Sequence, residues 1–87
     1  MVSKVVTLIN AQGFHMRPAS LFATAMGKYE SDITIKHNNT DINAKSLLNI
    51  IAGCIKCGSE IEILCSGSDE QAALDEAVQL IESGLGE

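Results

Sequence analysis

The sequence predicts an α+β fold, a four-stranded antiparallel sheet covered on one face by helices. Three observations point there. Four short segments alternate apolar and polar residues, as half-buried strands do. Two longer segments carry apolar residues at helical spacing. The strand and helix patterns follow one another in the order β-α-β-β-α-β-α, which suits a sheet with helices packed on one side. With 87 residues, the chain is expected to form a single domain spanning residues 1–87.

The first strand is predicted over Ser3 to Ile9, with Val6 and Leu8 on one face. Asn10 to Gly13 reads as a turn. A helix follows from Met16 to Met26, with Pro18, Phe22, Ala25, Met26 and Tyr29 near one face and Gly27 as its stop. Ile33 and Ile35 alternate with Asp32, Thr34 and Lys36, a second strand. Asn38-Asn39 is a tight-turn signal, because asparagine tolerates positive φ. Asp41 to Ala44 returns as a third strand. Ser46 stands at the N-cap of a short helix over Leu47 to Ala52. Gly53 and Gly58 bracket an irregular connection. Glu60 to Ser66 is the fourth strand, with Ile61, Ile63 and Cys65 facing one way. Ser68 and Gln71 read as a capping box that opens the last helix. That helix presents Leu74, Ala77, Val78 and Ile81 to the core, and Gly84 lies beyond its end.

Composition narrows the functional classes. Apolar residues make up 46% of the chain, but Phe14, Phe22 and Tyr29 are the only aromatics, so the core is aliphatic. The net charge is −5 and the six basic residues are scattered. This argues against direct nucleic-acid binding. No apolar run reaches the roughly 18 residues of a membrane span, and the N-terminus lacks a signal-peptide pattern. A cytoplasmic protein without membrane insertion is expected. Cys54, Cys57 and Cys65 are odd in number, so reduced thiols are expected. Cys54 and Cys57 form a C-x-x-C, but a structural zinc needs four ligands and no second pair follows.

The chemistry concentrates in Gly13-Phe14-His15-Met16-Arg17-Pro18-Ala19-Ser20. His15 falls at the predicted start of a helix. Proline is tolerated in a first helical turn, whose N–H groups lack intrahelical partners. Those N–H groups and the positive end of the helix dipole favour an anion. Arg17, the only arginine in the chain, adds a fixed cation. A nucleophilic imidazole, a cation and a backbone anion site within three residues suit a phosphoryl group carried on histidine. Met16, Leu47, Leu48 and Ile51, with Ser20 at the edge, are candidates for a docking patch. Packing into the core is the alternative role for Leu47, Leu48 and Ile51.

The chain resembles the histidine-containing phosphocarrier protein (HPr) family of the bacterial phosphoenolpyruvate-dependent sugar phosphotransferase system. The family signature Gly-Leu-His-Ala-Arg-Pro-Ala matches Gly13-Phe14-His15-Met16-Arg17-Pro18-Ala19. A second signature, around a regulatory serine, matches Asn43-Ala44-Lys45-Ser46-Leu47-Leu48, and the ending Gly84-Leu85-Gly86-Glu87 is similar to that of Gram-positive members. The resemblance implies an open-faced sandwich with strand order 1-4-2-3 and three helices on one face. It implies phosphorylation of His15, at Nδ1, by phosphorylated enzyme I, with Arg17 beside it, and delivery to sugar-specific EIIA proteins or domains. It further implies regulatory phosphorylation of Ser46 by HPr kinase/phosphorylase, and carbon catabolite repression through a catabolite-control transcription regulator. A stoichiometric carrier is implied rather than an enzyme, with no cofactor, no metal and a monomeric state.

The match departs from the family pattern at three places. Met16 stands where a small residue is usual, Phe14 replaces leucine, and Cys54 and Cys57 match no functional position. Two other readings remain at this point. One is a regulatory binding domain acting through Ser46; the other is a metal or redox module using Cys54 and Cys57.

Overall fold

Backbone alternation and cross-strand pairing define the sheet in the computed structural model, which describes residues 1–85. The elements are β1 (Val2–Thr7), α1 (Met16–Gly27), β2 (Asp32–His37), β3 (Thr40–Asn43), α2 (Leu47–Ala52), β4 (Glu60–Ser66) and α3 (Glu70–Glu82). All pairings are antiparallel, and the sheet order is β1-β4-β2-β3. The fold is an α+β open-faced sandwich, as expected. Gly86 and Glu87, half of the family-like ending, lie outside the described residues.

Register places the apolar residues in rows. Ile42, Ile35 and Ile63 stand side by side across three strands, and Ile33 pairs with Cys65. Val6 pairs with Ile61 at the other edge. All of these are buried, because alternate side chains of a strand share one face. The β2–β3 hairpin closes through Asn38 and Asn39, at φ 50° and 65°. Two positive φ values in succession are what a type I′ turn needs. β1 ends two residues earlier than expected, and Leu8 instead bonds Ser59 and Gly58 through its backbone. β3 is shifted by one residue, and the Ala44 N–H still donates to Ile33.

Helix α1 buries Pro18, Ala19, Phe22, Ala23 and Met26. Ala25 and Tyr29 are only half-buried. Gly27 is the last helical residue rather than a left-handed stop; Lys28 caps the helix in a right-handed conformation. Tyr29 lies beyond the helix and reaches α3, where its hydroxyl donates to Glu76 Oε1 at 2.5 Å.

The predicted capping box at Ser68 does not form. Asp69 is the N-cap residue of α3, without a side-chain cap bond. Ser68 Oγ donates to Glu30, and Gln71 donates to Asp75. Glu70 takes over part of the capping role, accepting from the Gly67 N–H at 3.2 Å. The Asp69 carboxylate is engaged elsewhere. It accepts from the N–H groups of Glu30 and Ser31, both at 2.9 Å, and from the Ser31 hydroxyl. The cause is proximity: a Cβ on Gly67 would lie 2.6 Å from Ser31 Cα. The α1–β2 connection is pressed against the turn before α3, so its donors reach Asp69 first. At its other end α3 closes with a Schellman motif. The Leu85 N–H donates to Leu80, the Gly84 N–H to Ile81, and Gly84 has φ 87°.

Candidate functional site

The site is built on the turn between β1 and α1. Asn10 is buried, and its side-chain Nδ2 donates to the Gly84 carbonyl at 2.7 Å. Its own carbonyl accepts from the Gly13 N–H at 3.0 Å. Gly13 adopts φ 69°, a conformation glycine reaches without a Cβ penalty. The Gly13 carbonyl then accepts from the His15 N–H at 3.0 Å. From the other side, the Phe14 N–H donates to the Ile55 carbonyl at 3.0 Å. The Phe14 ring is buried and packs against Phe22 at 5.5 Å between centroids. Phe14 therefore retains the apolar anchoring role of the leucine it replaces.

These contacts deliver His15 to the N-cap of α1 in an extended conformation, φ −82° and ψ −173°. Its carbonyl accepts from the Ala19 N–H, the first bond of the helix. Met16, Arg17 and Pro18 form the first turn, which holds no acidic residue. The local field at this end of the helix is positive, from the dipole and from Arg17. His15 is half-exposed and Arg17 exposed. An open depression of about 870 Å³ is lined by Ala11, Gln12, His15, Met16, Arg17, Ser20 and Leu21.

The structure thus gathers His15, Met16, Arg17 and Ser20, all named from sequence. It adds Ala11, Gln12 and Leu21, which sequence reasoning missed. Leu21 was legible in principle, since it falls off the buried stripe of Pro18, Phe22 and Met26. Leu47, Leu48 and Ile51 do not line the depression. They lie on α2, which packs beside α1. Leu48 is 80% exposed, whereas Leu47 and Ile51 are half-buried against the core. The core-packing role therefore holds in part for those two.

Ser46 is the N-cap of α2, as expected. Its Oγ accepts from the Asn49 N–H at 3.3 Å and from Asn49 Nδ2 at 2.8 Å. Lys45 beside it is held by its Nζ donating to the Tyr29 carbonyl at 2.6 Å. Cys54 and Cys57 are exposed free thiols, and Cys65 is buried in the core. Burial pushes the Cys65 thiol above its usual range, with Glu70 and Asp69 adding to the effect. Among the described residues, no group of three or more His, Cys, Asp or Glu side chains is placed to hold a metal ion. No helix among them is long and apolar enough to cross a membrane.

Comparison with known proteins places the chain in a family and a fold. Residues 2–83 match the family model described as the PTS HPr component phosphorylation site. The phosphocarrier protein HPr of Treponema pallidum (strain Nichols) is 37% identical over 83 residues, covering 95% of this chain and 94% of that protein. The HPr of Mycoplasma capricolum is 43% identical over 73 residues, covering 84% and 78%. The crystal structure of HPr-C-His from Thermoanaerobacter tengcongensis superposes with a TM-score of 0.96 at 34% identity, covering 100% of this chain and 98% of that one. The chain therefore belongs to the HPr family, the non-catalytic phosphocarrier proteins of the phosphotransferase system.

Proposed function

We propose that His15 is the residue that carries the phosphoryl group, with Arg17 as its charge partner. The observation that supports this most directly is the placement of His15 at the N-cap of α1, beside Arg17, on an exposed depression. In the transfer, a lone pair of the neutral imidazole forms the new N–P bond as the donor's bond to phosphorus breaks. In the second transfer a nucleophile of the acceptor bonds to phosphorus as the N–P bond breaks, and the imidazole is restored. The helix N–H groups and Arg17 face the added negative charge and stabilise it. Enzyme I is the donor in this reading, and EIIA proteins or domains are the acceptors. Docking to both uses the rim of the depression, Met16, Ser20 and Leu21, with Leu48 on the neighbouring helix. A monomeric, single-domain carrier acting in the cytoplasm fits this role.

Incubation with phosphoenolpyruvate and enzyme I, followed by intact mass measurement, tests the assignment. One phosphate should be added, labile in acid and stable in alkali. A label that persists in His15→Ala would show that the acceptor is elsewhere.

Ser46 is proposed as a regulatory phosphorylation site for HPr kinase/phosphorylase, linked to carbon catabolite repression and a catabolite-control transcription regulator. Its support is the half-exposed hydroxyl at a helix N-cap, where added phosphate meets helix N–H groups.

A further inference from the structure

We infer that Asn10 is a positioning residue for phosphoryl transfer, tying the turn that carries His15 to the end of α3. Asn10 is 3% exposed, and with Ser31 it is one of two buried polar side chains among the described residues. Its Oδ1 is buried and meets no hydrogen-bond partner among the described residues. A buried acceptor without a partner is costly, so the amide is not explained by its full complement of bonds. What the amide does supply is the donor at Nδ2, which reaches the Gly84 carbonyl at 2.7 Å. Gly84 is the left-handed residue of the α3 Schellman motif, and Leu85 beyond it is buried. The acceptor thus belongs to a hydrogen-bonded helix terminus that packs into the core.

From Asn10 the coupling to His15 is short. The Asn10 carbonyl holds the Gly13 N–H, and the Gly13 carbonyl holds the His15 N–H. The opposite flank is held by Phe14 on Ile55. The backbone entering His15 is therefore fixed from two directions, and Asn10 supplies the side-chain link on one of them. Removing its amide frees the turn over residues 10–13 to shift against α1. The imidazole then moves relative to the helix N–H groups and Arg17 while the docking rim on α1 stays in place. Misplacement of this kind lowers the transfer step rather than the encounter.

The inference rests on His15 as the phosphoacceptor, and the experiment separates the two claims. Wild type, His15→Ala, Asn10→Ala and Asn10→Ser are compared as substrates of enzyme I with phosphoenolpyruvate. A missing label in wild type, or a persistent one in His15→Ala, overturns the acceptor assignment. With that assignment intact, Asn10→Ala should lower kcat by roughly tenfold or more while KM stays within about twofold. Asn10→Ser keeps a shorter donor and should fall between; it carries the same test if the alanine variant does not fold. In the amide NMR spectrum, Gly13 and His15 should shift while α2 does not. A folded Asn10 variant with lowered thermal stability but unchanged kcat would overturn the proposal, as would a rise in KM alone.

Discussion

Gly13 lies directly against the carbonyl of Ile55: a Cβ built on Gly13 would come within 2.3 Å of that oxygen and 2.8 Å of Lys56 Cα. Both obstacles are backbone, so neither can swing aside. Gly13→Ala should therefore combine a left-handed penalty of about 1–2 kcal/mol with an overpacking cost of about 1–3 kcal/mol. Gly27 gives the contrast. It is helical, with nothing within 4 Å of its built Cβ. Gly27→Ala should be neutral or stabilising by up to about 1 kcal/mol. Urea denaturation of both variants checks the pair; equal effects would mean that the Ile55 contact does not constrain the turn.

Arg17→Ala should leave the fold intact, since the side chain is exposed. Loss of a charge-assisted bond to the phosphoryl group should cost about 1.5–3 kcal/mol, or roughly 10- to 160-fold in transfer rate. Rapid-quench kinetics in both directions measure it. Unchanged rates would remove Arg17 from the transfer.

Ser46→Ala should destabilise the protein by about 1 kcal/mol, because the Asn49 N–H loses its cap. Ser46→Asp keeps an acceptor at the same place and should stay nearer wild type in stability. A negative charge there should slow phosphorylation of His15 by disfavouring docking, so Asp should be slower than Ala. If the two variants are phosphorylated at equal rates, charge at this position does not govern docking.

Tyr29 and Asp69 each contribute to the pH dependence of stability. The Tyr29 phenol is pushed from 10.0 up to about 12, first by its hydrogen bond to Glu76 and then by burial and the Glu76 charge. Its contribution to stability is complete below pH 10 and is lost as pH rises through about 12. Tyr29 is the only tyrosine, so the tyrosinate ultraviolet band follows it alone; Glu76→Gln should move the midpoint down. The Asp69 carboxyl is held below its usual range, chiefly by the Ser31 hydroxyl and then the Glu30 N–H. Its contribution is present above the ordinary carboxylate pKa and is lost as pH falls through the lowered value. Asp69→Asn should flatten the acid limb of the stability profile, and an unchanged limb would assign that limb to other carboxylates.

Thiol reagents should modify Cys54 and Cys57 quickly and Cys65 only on unfolding, given their exposure. Cys54→Ser/Cys57→Ser should keep phosphocarrier activity. Stoichiometric zinc in the native protein would refute the reading of these thiols as surface groups.

Local signals in the sequence reached the elements whose causes are local. The limits of β4 agree residue for residue, and Asn38-Asn39 forms the turn expected of two asparagines. Ser46 is the N-cap its neighbours indicated, and His15, placed at a helix start from sequence, is the N-cap of α1. The capping box at Ser68 failed because Ser68 pairs with Glu30, distant in sequence, and Gln71 with Asp75, while Asp69, the N-cap residue, is engaged by Glu30 and Ser31. For the same reason the need for glycine at position 13 could not be traced to Ile55 beforehand. Strand order came from family likeness, since pairing between distant strands leaves no short-range pattern. Ala11 and Gln12 were missed because residues of a turn carry no periodic signal, whereas Leu21 could have been read from its place off the buried stripe of α1.

The strand that holds the sheet together is the last strand to be synthesised. β4 pairs with both β1 and β2, which do not pair with each other. On the ribosome, β1 emerges first and has no ladder to join until residues 60–66 have left the exit tunnel. The β2–β3 hairpin can close in the meantime, but a lone hairpin is marginal in water. Cooperative folding of this sheet must therefore wait for β4, and nascent fragments that stop short of it leave β1 and one edge of β2 with unpaired backbone groups, open to chaperones and proteases.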